Sequence, residues 1–104
     1  MLTITPNAHQ RVFIALKPLD FRKGIDSIAA ACRQQFQCDP KSGHYFIFRN
    51  RRKTAIKIFM FYRNGYWLCH KRLSQGKFLI WPKGQGPLSE VMLSTVTPIV
   101  QTTP

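Results

Sequence analysis

The sequence predicts an α+β domain, one amphipathic helix packed on a small, mostly antiparallel sheet of about five strands. Three observations predict it. Apolar residues recur at helical spacing only between positions 21 and 37, the chain from 44 onward alternates between strand-like runs and turn signals, and 104 residues with 44% hydrophobic content suffice for one modest core.

The first element is "RVFIAL", residues 11–16, a short apolar run closed by Lys17-Pro18 and read as a buried strand. Phe21, Ile25, Ile28, Ala29, Cys32 and Phe36 then share one helical face, so a helix is expected over 21–37, capped by Asp20 and ended before Pro40. Four further runs read as strands: "HYFIF", "AIKIFMFY", "YWLCHKRL" and "KFLIW". Turn signals at 50–54, at Asn64-Gly65 and at Ser74-Gln75-Gly76 join them into a meander. The domain is expected to span 1–82, and the Gly-, Pro- and Thr-containing tail 83–104 to be loose.

Charge narrows the function. Lys and Arg number 16 against 4 acids, a formal charge of +12 that an anionic partner would neutralise. Nucleic acid is the leading candidate. The chain has no apolar run of membrane-spanning length and no cleavable signal pattern, which points to a cytoplasmic protein without membrane attachment. Cys32, Cys38 and Cys69 are odd in number and, with His44 and His70, lack zinc-ligand spacing, so neither a disulfide framework nor a metal or other cofactor is expected.

The segment "FRNRRKTAIKIFMFYRNGYWLCHKRL", residues 48–73, carries eight cations and no acid among strand-forming residues. With a turn at Asn64-Gly65, Tyr62 is expected opposite Trp67, Met60 opposite Cys69 and Ile58 opposite Lys71 on an apolar face. The other face then pairs Phe61 with Leu68, Phe59 with His70 and Lys57 with Arg72, flanked by Arg63 and Tyr66. Cations beside rings are the ingredients of a nucleic-acid platform, in which Phe59, Phe61 and Tyr66 stack on bases. A competing reading packs Phe59 and Phe61 under the helix and lets Lys57 and Arg72 snorkel from the sheet margin.

The turn "RNRRK" offers a phosphate contact without burying charge, through Arg49, Arg51, Arg52 and Lys53, extended by Lys57, Arg63, Lys71 and Arg72. Arg22 and Lys23 at the expected helix start oppose the helix dipole unless an anion meets them, which makes them a second candidate contact.

An ordered series of motifs sharpens this reading. Asp20-Phe21-Arg22-Lys23-Gly24-Ile25-Asp26, Ser42-Gly43, Phe46 to Arg52, Lys57-Ile58, Asn64-Gly65-Tyr66-Trp67, Lys71-Arg72-Leu73, Gly76-Lys77-Phe78 and Trp81-Pro82 resemble the TnpB-type accessory proteins of insertion sequence 66 transposable elements, over residues 11–82. The resemblance implies a small bacterial protein, encoded beside a separate DDE-type transposase and needed for transposition. It brings no catalytic residues. Asp20, Arg22, Lys23, Gly24, Arg51, Arg52, Lys71 and Arg72 are the motif positions it marks as functional or fold-defining.

The chain departs from the family pattern at Tyr62 and Ser74, where acids are common, and after Trp81-Pro82, where the family continues into a leucine-rich helix of which "LSEVML" resembles a remnant. Its four acids, Asp20, Asp26, Asp39 and Glu90, offer no cluster for two-metal strand transfer, so no catalytic residue is assigned and cutting is left to another chain. The resulting expectation is a non-enzymatic DNA-binding subunit assisting the transposase, nucleoid-associated when bound. Two alternatives remain: an adaptor docking on the transposase without reading DNA, and a small ribonuclease using His44 or His70 as acid and base.

Overall fold

The computed structural model describes residues 6–7, 9–22 and 24–101, so Lys23 lies outside the described residues. Five strands, β1 (Val12–Ala15), β2 (Tyr45–Arg49), β3 (Ala55–Tyr62), β4 (Gly65–Arg72) and β5 (Leu88–Val91), form one sheet in the order β4-β3-β2-β1-β5. Helices α1 (Ile25–Gln34) and α2 (Leu93–Val100) complete it. β1 and β2 run parallel, which requires a crossover, and α1 supplies it; the other three pairings are antiparallel.

Strand alternation divides the core in two. Phe46, Phe48 and Phe59 turn to one side, where Ile28, Ala29 and Cys32 of α1 cover them together with Phe36. Val12, Ile14, Ile47, Ile56 and Ile58 turn to the other, where Val96 and Ile99 of α2 meet them with Leu73 and Phe78. The two helices thus cover opposite faces of the sheet, each over part of its area.

Four expectations change. The helix begins at Ile25 rather than 21, because Asp20 does not cap it: its Oδ1 accepts the Arg22 amide at 3.0 Å in a local turn, and Gly24 stands at the N-cap. The turn between β3 and β4 is Arg63-Asn64, with Arg63 in the left-handed region at φ 57°. Tyr62 consequently pairs with Gly65, Phe61 with Tyr66, Phe59 with Leu68 and Lys57 with His70, a shift by two that changes partners but preserves the division into faces.

The segment "KFLIW" is not a strand. Phe78 is buried and plugs the α2-side core, while Leu79 and Ile80 project outward. Nor is the tail loose: Leu88–Val91 pairs antiparallel with β1, and α2 follows it, burying Val96 and Ile99 three residues apart. "LSEV" is thus the fifth strand, not the remnant of a helix, because β1 would otherwise present an open edge and an uncovered apolar face.

Candidate nucleic-acid interface

The β2–β3 turn is built on Asn50. Its Oδ1 accepts the amides of Thr54 and Ala55 at 2.9 and 3.0 Å, its Nδ2 donates to the Thr54 hydroxyl at 2.9 Å, and its carbonyl accepts the Lys53 amide at 3.0 Å. Lys53 turns the chain in the left-handed region, φ 65°. The turn is then tied down from outside, since the Phe78 amide donates to the Lys53 carbonyl at 2.7 Å and the Leu73 amide to the Thr54 carbonyl at 2.9 Å. Arg51 and Arg52 stand exposed on this fixed loop. Among the described residues ion pairs join Arg11 to Glu90 and Arg22 to Asp20, and neither arginine of the loop takes part in one.

Arg72 lies opposite Ala55, beside this loop, and is exposed. Lys77 adjoins it through Phe78 and is exposed as well. Sequence reasoning left Lys77 out of the interface, although the Gly76-Lys77-Phe78 motif marked its position.

The structure gives other expected contacts different work. Lys57 is 6% exposed: its Nζ donates to the Phe21 carbonyl at 3.1 Å and stands 4.8 Å from the centre of the Phe21 ring, so it cannot reach a phosphate. Phe59 is completely buried and stacks on Tyr66 at 4.8 Å inside the α1-side core, which removes it as a base-stacking ring. Phe61, edge-on to Tyr66 and beneath the Lys41 ammonium, is partly buried, as is Tyr66. The exposed rings are instead Trp67 and Tyr62, at 63% and 50%, on the face expected to be merely apolar. Sequence alternation identified that face; it could not show that α2 stops short of it.

Lys71 projects to the α2 side, where its Nζ donates to the Val100 carbonyl at 2.6 Å and complements the helix C-terminus. Arg22 forms a two-pronged clamp with Asp20, from Nε at 3.0 Å and Nη2 at 2.8 Å, and the bonded carboxylate raises its pKa. It precedes the true helix start and no longer opposes a dipole. Arg63, at the β3–β4 turn, is separated from Arg51 and Arg52 by the length of β3, about 23 Å at the usual rise per residue.

Arg49 leads inward. Its Nη1 donates to the Phe78 carbonyl at 2.6 Å and its guanidinium lies 4.6 Å from the centre of the Trp81 ring. Burial lowers its pKa. Trp81 is itself fixed by Nε1 donating to the Ala15 carbonyl at 2.8 Å.

The histidines are kept apart. His44 accepts the Arg11 amide on Nδ1 at 3.0 Å at the start of β2, whereas His70 faces Lys57 on β4. Four residues along β2 and two strands across amount to roughly 16 Å, too far to act as acid and base on one phosphate. The Cys38 amide donates to the Cys32 carbonyl at 2.8 Å, which brings the two thiols together: sharing a proton with Cys38, then burial, pushes the Cys32 thiol up, while the same sharing holds Cys38 down against its own burial. Among the described residues no group of three or more His, Cys, Asp or Glu side chains could hold a metal, and no helix is long and apolar enough to cross a membrane.

Fold and surface together define a small, basic α+β module with an ordered arginine loop. The IS66 Orf2-like family matches residues 10–99, reaching through β5 and into α2, and the chain belongs to that family. This places it with the machinery of IS66 transposition, in an accessory role. The chain is similar to the uncharacterised protein y4jC of Sinorhizobium fredii (strain NBRC 101917 / NGR234), 32% identical over 82% of this chain and 73% of that protein. It is also similar to the uncharacterised protein y4hO of the same strain, 34% identical over 73% of this chain and 65% of that protein, so part of each relative lies outside the match. No solved structure matches the chain significantly.

Proposed function

We propose that the protein is a non-catalytic subunit of IS66 transposition that holds duplex DNA by its phosphates at the β2–β3 end of the sheet, beside a separate transposase. One observation carries this reading: Arg51 and Arg52 are exposed on a loop already ordered by Asn50, so a phosphate contact there needs neither loop ordering nor the breaking of an ion pair. Arg72 and Lys77 broaden the contact, and the net charge of +12 draws the protein to any duplex. Contacts of this kind, to phosphates, position the protein on the duplex without by themselves specifying a sequence.

The test is a duplex titration across salt with the Arg51→Gln/Arg52→Gln variant. Lys53 is left in place because its left-handed backbone belongs to the turn. The salt slope should flatten by up to about 0.9 per arginine removed, affinity should fall alike for every sequence, and the melting temperature should barely move. Unchanged affinity would reject the DNA surface.

A second reading rests on Trp67 and Tyr62, large exposed rings at the other end of β3. There the protein would dock on the transposase as an adaptor, and Trp67→Ala would abolish transposition while leaving duplex binding intact.

A further inference from the structure

Beside the arginine loop lies a cleft of about 280 Å3, lined by Leu16, Arg49, Lys53, Leu79, Trp81, Pro82, Lys83 and Gly84. Three of these residues are cations and none is an acid. The walls contributed by Leu16, Leu79, Trp81 and Pro82 are apolar, and Leu79 stands 71% exposed at the rim. We propose that this cleft takes one nucleotide of an unpaired DNA strand, its phosphate against Lys53 and Lys83 and its base against Leu79 and Trp81. The inference rests on the reading of this end of the sheet as a DNA surface.

A duplex offers phosphates on a convex surface and keeps its bases stacked inside, so it could use the cations but not the apolar walls. An unpaired nucleotide joins an anion to a flat, largely apolar body, and groove cations beside an aromatic ring are how such strands are held. The size agrees, since the volume is near the lower limit of ligand clefts, roughly 300 Å3.

The site is also rigid before anything binds. Arg49 is pinned to the Phe78 carbonyl with its guanidinium 4.6 Å from the centre of the Trp81 ring, Trp81 is pinned to the Ala15 carbonyl, and Lys53 is pinned through its own carbonyl to the Phe78 amide. With one nitrogen of Arg49 committed to Phe78, the rest of the guanidinium adds positive charge to the cleft.

The two tryptophans make the test direct. In full-length protein carrying Trp67→Phe, emission comes from Trp81 alone. A short oligothymidylate at low salt should quench it saturably. Adding Leu79→Ala should weaken that binding by about fivefold through lost apolar contact, while duplex affinity stays the same. Polyglutamate at equal charge should leave the emission unchanged.

Three results would overturn the proposal: strand binding without a change in Trp81 emission, oligothymidylate affinity indifferent to Leu79→Ala, or equal quenching by polyglutamate, which would assign the cleft to an acidic polypeptide. Failure of the duplex reading looks different. It would show as duplex affinity indifferent to Arg51→Gln/Arg52→Gln, and quenching by oligothymidylate would then still support the cleft.

Discussion

The two ends of β3 carry the same residue types in sequence and do different things in the fold. At its start the turn Asn50–Thr54 is cross-bonded by Asn50, tied to Leu73 and Phe78, and surrounded by exposed cations. At its finish the Arg63-Asn64 turn carries the exposed rings of Tyr62 and Trp67, with the Arg63 guanidinium 5.3 Å from the centre of the Tyr62 ring. Residues 48–73 thus read as one basic, aromatic stretch, yet the exposed rings gather at one end of the strand, with Arg63 beside them, and the loop cations at the other. Between them lie Lys57 and Phe59, one of each type, and both are buried. A cation or ring in a strand counts toward an interface only where its register and the helices leave it uncovered.

The largest effect expected from this contrast is on stability. Phe59→Ala should destabilise the fold by about 3–5 kcal/mol, as truncation of a buried aromatic does, whereas Trp67→Ala should stay within about 0.5 kcal/mol. Denaturant midpoints of the two variants measure this, and equal losses would place both rings in the core.

A smaller effect separates the turns by charge. Arg63→Gln should leave duplex affinity and its salt slope near those of the parent protein, because its distance from the arginine loop keeps it off the same duplex face. A drop matching that of the Arg51→Gln/Arg52→Gln variant would mean that DNA runs the length of β3 and would merge the two ends into one surface.

The smallest concerns the middle of the strand. Burial, then Lys57 and Arg72, lower the pKa of His70. The folded protein therefore binds that proton less readily than the unfolded chain, whose imidazole titrates near 6.5. The resulting stability is present above that pH and is lost as pH falls through the lowered folded value. The melting temperature should decline on acidification below about 6.5, and His70→Gln should flatten that decline.

Much of this was legible in advance for a physical reason. β3 spans Ala55–Tyr62, as the sequence suggests, because its β-branched and aromatic run has no competing period. The α1 face was legible from Ile28, Ala29 and Cys32. Its start was not, since an Asp before an apolar period looks the same whether it caps a helix or, as here, bonds the amide and guanidinium of Arg22. The two-residue shift in the hairpin arose because Asn64-Gly65 is a strong turn signal, while the turn adopted uses a left-handed Arg63.

Residues 88–100 were illegible because they break local rules. Serine, threonine and valine dominate α2, and Pro98 lies inside it, so its helical state is imposed by burying Val96 and Ile99. The cleft could not be read at all. Arg49, Lys53, Trp81 and Lys83 are scattered over 35 positions, and only the return of the chain past Phe78 brings them together.

The placement of β5 also orders events during synthesis. Residues 12–72 supply four strands and α1, but β1 then has β2 on one side and nothing on the other until Leu88–Val91 arrives. A nascent chain at that stage shows a bare strand edge together with the isoleucine and valine face that α2 later roofs, both invitations to aggregation. A premature stop between the codons for Phe78 and Leu88 would therefore yield a polypeptide that keeps the Leu73 and Phe78 ties of its arginine loop and loses its solubility.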